Sequence, residues 1–154
     1  MNGIPEENPG TGGDIFAFFN EIGIIEQLAR TRLERVLPDG MKMSHFGVLN
    51  HLVRLGKKES PAELAAAFQV TRPTMTNTLQ RLEARKYISV EPDPNDGRAK
   101  LVLITPAGRA ARAASIEALA PLLAKISNDL GSALFSEPLP ALQKVREYMD
   151  NKRD

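Results

Sequence analysis

The chain has 154 residues, 42% hydrophobic and 25% charged, with a formal net charge of +1. That is room for one domain with a buried core and gives no global basic excess, although a local basic face is enough to attract phosphates. The absence of cysteine excludes disulfides, thiolate nucleophiles and cysteine-based redox sensing.

Residues 1–13 carry Gly, Pro, Asn and Thr without periodicity and are expected to form a mobile tail. They lack the basic-then-apolar order of a signal peptide, and no later run is apolar enough to span a bilayer. The expectation is a cytoplasmic protein with no membrane partner. Asp14 is placed to cap a first helix over residues 14–37. There Ile15, Phe18, Phe19, Ile22, Ile25, Leu28, Ala29, Leu33 and Val36 recur at helical spacing. Phe16, Ile24 and Leu37 add apolar surface off that stripe, so more than one neighbour must cover the helix, and a second subunit is a suitable cover. Pro38-Asp39-Gly40 closes it as a turn.

Ser44 is the expected cap of a second helix, with Phe46, Val48, Leu49, Leu52, Val53 and Leu55 inside and Gly56 as its stop. Ser60-Pro61-Ala62-Glu63 has the capping-box pattern with proline at the first helical position, and opens a brief third helix. Gln69-Val70 turns the chain, and Thr71 caps a fourth helix that reaches about Lys86. The period then changes to strand-like alternation over Tyr87-Ile88-Ser89-Val90-Glu91. Turn chemistry follows from Pro92 to Gly97, and a second strand from Lys100 to Ile104, giving a hairpin with a long charged tip.

Thr105-Pro106 starts a long helix with Ala110, Ala113, Ile116, Leu119, Leu122, Leu123 and Ile126 on its apolar side; Pro121 is expected to kink it or end it early. Ser136-Glu137-Pro138 starts a last helix with Leu139, Leu142, Val145 and Met149 inward. The fold class expected is mainly α with a small β-hairpin wing. It comprises a winged helix-turn-helix lobe over residues 41–105, flanked by helices 14–37 and 106–154. The flanking helices have apolar faces and no core of their own, so their economical use is dimerisation.

The fourth helix carries the functional pattern. Met75, Leu79 and Leu82 share one side, while Pro73, Asn77, Gln80, Arg81 and Ala84 point away, flanked by Thr74 and Thr76. A merely solvated face usually carries Glu and Lys, and here Glu83 is the sole acid. Asn and Gln pair bidentately with adenine, Arg with guanine, and the Thr methyl packs on that of thymine. The helix N-terminus, with Thr71 and Arg72, presents N–H groups and a cation to a phosphate. In the hairpin, Arg98 and Lys100 concentrate positive charge, and an arginine there suits a narrow minor groove. Asp96, two positions away, is expected to hold the Arg98 guanidinium.

The run from Leu64 to Thr76, with Leu79 and Arg81-Leu82-Glu83-Ala84-Arg85, resembles the helix-turn-helix of the multiple-antibiotic-resistance regulator (MarR) family. Asp93-Pro94-Asn95-Asp96-Gly97-Arg98-Ala99-Lys100 resembles its wing, and Leu103-Ile104-Thr105-Pro106-Ala107-Gly108-Arg109 the strand-to-helix junction that follows. The resemblance covers about residues 60 to 110; the flanking helices fit by length and position only. It implies that Arg98 enters the minor groove, oriented by Asp96, and that the outward face of the fourth helix enters the major groove. It also implies a homodimer on a pseudo-palindromic operator in double-stranded DNA, with half-sites about one helical turn apart. Gly97 stands where many relatives carry a further basic residue, which implies weaker wing contacts.

Ligands in the family often bind near the second helix, which makes His45 and His51 candidates for contacting a small anionic or phenolic effector; the alternative is two histidines satisfied locally. They are six positions apart, not the three or four that put two metal ligands on one helical face. Met41 and Met43 can line an adaptable pocket or fill core. Tyr87 is expected to pack. No cofactor is implied, and no Ser–His–Asp order, phosphate-binding glycine loop or paired-carboxylate site stands out, so an enzyme is not expected. Two other functions remain open: a non-specific DNA binder, and a protein-interaction winged helix with no nucleic acid.

Overall fold

A computed structural model describes residues 12–152. Of the expected tail, positions 1–11 lie outside the described residues, and Gly13 already belongs to the first helix. In chain order the elements are α1 (Gly13–Val36), a 3-10 turn (Pro38–Gly40), α2 (Met43–Leu55), α3 (Pro61–Ala67) and α4 (Arg72–Ala84). Then come β1 (Ile88–Asp93), β2 (Asp96–Ile104), α5 (Pro106–Leu130), α6 (Ala133–Ser136) and α7 (Leu139–Asp150).

Local chemistry explains most boundaries. Ser60 Oγ accepts from the Glu63 N–H at 3.2 Å and Glu63 Oε2 accepts from the Ser60 N–H at 2.8 Å, so both halves of the capping box form. Thr71 Oγ1 accepts from the Thr74 N–H at 3.2 Å and starts α4. Gly56 takes the left-handed conformation (φ 62°) that ends α2, as glycine does without strain. Three starts differ from expectation. Gly12 precedes α1 with no side-chain cap, and Asp14 lies inside its first turn. Lys42, not Ser44, occupies the cap position of α2, where His45 Nδ1 accepts from the Lys42 N–H at 3.1 Å and Glu34 Oε1 from the Met43 N–H at 2.9 Å. Partners brought in by the fold thus replace the serine. The stretch before the last helix folds as the short α6, and α7 begins only after Pro138.

The core lies under the lobe. Val48, Leu49 and Leu52 of α2 meet Leu64 of α3, Met75, Leu79 and Leu82 of α4, Ile88 of β1 and Val102 of β2, each exposed by 5% or less. Leu37 and Met41 close one end of it. β1 and β2 pair antiparallel in the register Ile88↔Ile104, and Glu59 adds an isolated antiparallel bridge to Val102. The hairpin is tighter than expected. Pro94 and Asn95 alone form the turn, and the register slips between Pro92 and Asp93, so Arg98 sits on the β2 strand itself.

α5 runs unbroken through Pro121, so of the two expectations, a kink or an early end, the early end is overturned. The proline ring is exposed and removes a single ladder hydrogen bond from a long helix. The buried side of α5 matches expectation only in part, with Leu119 buried as expected at 7% exposed. Gly108, Ser115 and Leu119 face the core, whereas Ala110 and Ala113 are exposed and Ile116 is 42% exposed. A Cβ at Gly108 would meet the Tyr87 carbonyl oxygen at 2.0 Å, so only glycine permits this approach of α5 to β1. No residue of α1 or α7 is fully buried among the described residues, although Leu33 packs half-buried against the core, and the inward placement of Leu139 and Met149 is corrected by their exposures of 49% and 55%.

Candidate nucleic-acid interface

α3, the turn and α4 are held as one unit. Gln69 takes a left-handed conformation (φ 54°), and the Val70 N–H donates to Ala65 O at 3.0 Å, folding α4 back across α3. With Met75, Leu79 and Leu82 buried, Arg72, Pro73, Thr76, Asn77, Gln80, Arg81 and Ala84 are all exposed. The expected two-faced helix is therefore present, with two refinements. Asn77 Oδ1 accepts from Arg81 Nε at 3.1 Å, so the pair forms one preset hydrogen-bonding unit. Thr74 shares a 2.8 Å hydroxyl hydrogen bond with Thr71 and, with Thr78, turns toward α1 and α2 and lines a cavity there.

The hairpin tip uses its acids on its own backbone. Asp93 Oδ1 accepts from the Asn95 N–H at 2.9 Å and Asp96 Oδ1 from the Arg98 N–H at 3.1 Å. This corrects the expectation that Asp96 holds the guanidinium: a short side chain two positions away reaches the amide of a tight turn, not the far end of an arginine. Arg98 and Lys100 are exposed and make no ion pair among the described residues. They line a shallow depression of about 340 Å³ together with Glu91 of β1 and Glu83 of α4, so wing and recognition face share one surface.

The junction behind them is tied by Thr105. Its Oγ1–H donates to Lys86 O at 2.6 Å, its N–H donates to Tyr87 O at 3.0 Å, and its Oγ1 accepts from the Gly108 N–H at 3.0 Å. One residue thereby fixes the end of α4, the start of β1 and the start of α5. Tyr87 packs against the core, as expected.

Both histidines are satisfied locally. His45 is 5% exposed, and burial, followed by the nearby Arg85 and Arg81 cations, holds its pKa below the usual 6.5. His51 Nε2 lies 2.6 Å from Glu59 Oε2, and its ring meets Phe68 edge-on at 5.3 Å. Neither lines the cavity of about 400 Å³ between α1, α2 and α4. That cavity is walled by Arg30, Leu33, Met43, Ser44, Phe68, Thr74, Met75 and Thr78, among others. Met43 thus fulfils the pocket role, while Met41 is core. Sequence reasoning missed Glu59, which is 6% exposed, because a Lys-Lys-Glu connection looks solvated. Among the described residues no three His, Asp or Glu side chains gather as a metal site, and no helix is long and apolar enough to cross a membrane.

Comparison with known proteins matches this geometry. The MarR family profile covers residues 39–99, which include α2, α3, α4, β1 and the start of β2. This part of the chain is similar to MarR-family proteins. The chain is 33% identical over 93 residues to the HTH-type transcriptional repressor NicR of Pseudomonas putida, covering 60% of this chain and 56% of NicR. It is 30% identical over 94 residues to the transcriptional activatory protein BadR of Rhodopseudomonas palustris, covering 60% and 54%. The chain thus spans about half the length of these relatives. The solved structure of a mutant MarR from E. coli complexed with operator DNA superposes with a TM-score of 0.72 at 25% identity, over 86% of this chain and 95% of that one. BldR from Sulfolobus solfataricus shares the fold, with a TM-score of 0.77 at 23% identity over 88% and 96%.

Proposed function

We propose that this chain is a sequence-specific, double-stranded-DNA-binding transcription regulator that works as a homodimer on a pseudo-palindromic operator. The observation that carries this reading is the shared surface of α4 and the wing. A polar, hydrogen-bonding helix face (Thr76, Asn77, Gln80, Arg81) stands beside two unneutralised cations, Arg98 and Lys100. Such a surface offers base readout from α4 and phosphate or minor-groove contact from Arg98 and Lys100, with Thr71 and Arg72 at the helix start. A MarR protein complexed with operator DNA supports the same geometry. A protein-interaction module would need an exposed apolar patch where Asn77 and Arg98 stand.

The dimer reading rests on the uncovered apolar residues of α1 and α7, from Phe16 (73% exposed) to Met149 (55%). We assign the flanking helices to that interface and residues 41–105 to DNA. Regulation is read as ligand-responsive repression, supported by NicR's name as a repressor. The cavity beside Thr74 and Thr78 suits a small, mostly apolar effector with one phenolic group near Ser44, or an anionic group that displaces the Glu26 carboxylate from Arg30. A ligand there touches α4 directly, and acts through its differential affinity for two lobe arrangements.

The test is a gel-shift titration on DNA upstream of its own gene, with excess unrelated duplex. A shift that survives the competitor is expected; one abolished by it favours non-specific binding. Asn77→Ala should cost about 1–3 kcal/mol at one base position and relax specificity there. Arg98→Ala should weaken every site and flatten the salt dependence.

A further inference from the structure

We infer that Glu59 is a positioning residue for the wing, setting the attitude of β2, and with it Arg98, against α2. The inference rests on the reading of Arg98 as a DNA contact. Glu59 lies in the connection between α2 and α3, outside any helix, yet is 6% exposed. Its carbonyl accepts from the Val102 N–H at 2.8 Å, so its backbone forms a third rung beside β2, opposite Val90 on β1. Its carboxylate is held at both oxygens: Oε2 by His51 Nε2 at 2.6 Å and Oε1 by Lys57 Nζ at 3.3 Å.

His51 is itself seated edge-on against Phe68, where the helix-turn-helix bends. Its neighbour Asn50 accepts from Arg112 Nε of α5 at 3.0 Å. Consecutive residues of α2 therefore reach the wing on one side and the long helix on the other. A buried carboxylate is poor value for stability alone, since an apolar side chain of similar size packs at least as well. A charge held at both oxygens does specify one geometry. Val102 and Arg98 are four residues apart on one strand, roughly 13 Å at about 3.3 Å per residue, so the attitude set at Val102 carries to the guanidinium.

The experiment compares the full chain with Glu59→Ala and Glu59→Gln, each with and without Arg98→Ala. Amide exchange at Val102 is measured in the free protein, and salt-dependent affinity is measured for the duplex upstream of its own gene. Glu59→Ala should speed Val102 exchange at least about tenfold relative to α5 amides. It should lower DNA affinity about tenfold and reduce the salt slope by about one. Adding Arg98→Ala should cost little more, because both changes remove one contact. Glu59→Gln, whose amide oxygen still accepts from His51, should retain most of the affinity. Lower stability with an unchanged salt slope, or effects of Glu59→Ala and Arg98→Ala that simply add, would overturn the inference. If Glu59→Ala does not fold, His51→Phe keeps a ring on Phe68 and removes the bond to Glu59, and the same readouts apply. If the parent selects no duplex, the DNA reading fails separately; Val102 exchange still decides the latch, and unchanged exchange in both variants overturns it.

Discussion

The lobe and the flanking helices use the same helical periodicity with opposite outcomes. In the lobe, apolar stripes of α2, α3 and α4 close on one another, and Leu49, Leu64 and Leu82 are completely buried. In α1 and α7, equally regular stripes stay open: Leu28 is 62% exposed and Leu139 49%. A stripe states that a helix will be covered, and short connections decide by what. α3 and α4 are joined by a tight turn and must meet, whereas among the described residues α1 meets α2 and α5 through residues such as Leu33 and Glu34 and leaves most of its stripe, like that of α7, exposed.

The contrast can be tested at its strongest point first. Leu82→Ala should cost about 2–5 kcal/mol in denaturant unfolding, because its neighbours cannot collapse into the space left. Leu139→Ala, measured at dilutions where the chain is monomeric, should cost under about 0.5 kcal/mol. A large loss there would mean that α7 is covered within the subunit.

Next in size is Leu28→Glu. It should weaken self-association by about a hundredfold, as loss of a central interface anchor does, while leaving the far-ultraviolet spectrum of the lobe unchanged. Analytical ultracentrifugation at micromolar concentration reads this directly; a parent that is already monomeric would remove the dimer from the proposal.

Ser60→Ala should cost about 1 kcal/mol, since it removes the acceptor for the Glu63 N–H and frees the Glu63 carboxylate from its return bond. The smallest effect is pH-dependent. His45 has a folded-state pKa below its ordinary 6.5, so the unfolded chain binds more protons in the window below that value. Its contribution to stability is present above pH 6.5 and is lost as pH falls below it. Glu34 opposes the shift, while Arg85, Arg81 and Lys42 favour it. His45→Gln, which can still accept from the Lys42 N–H, should flatten this part of a thermal-melt pH series.

Much of the lobe was legible because its signals are local. The Ser60–Glu63 box, the Thr71 cap, the Gly56 stop and the alternation into β1 each act within about four residues, and all four appear where the sequence places them. The outward face of α4 followed from the same spacing. The role of Asp96 was misjudged because strand pairing up to Asp93 and Asp96 tightened the turn and brought a backbone amide, not a guanidinium, within reach.

By itself, then, the sequence determined the starts of α3 and α4 and the stop of α2, which face of α4 is apolar, and that two cations sit in a hairpin. The tertiary structure alone decided which side of α5 is buried, that Thr74 borders a cavity, and that Glu59 is clamped. Those outcomes depend on residues far apart in the chain, such as Asn50 with Arg112 and Met41 with Ser115. Capping and turn bonds close over one turn of chain and leave a local pattern. Contacts across tens of residues leave none, because any side chain of suitable size and polarity can meet its partner once the backbone has brought them together.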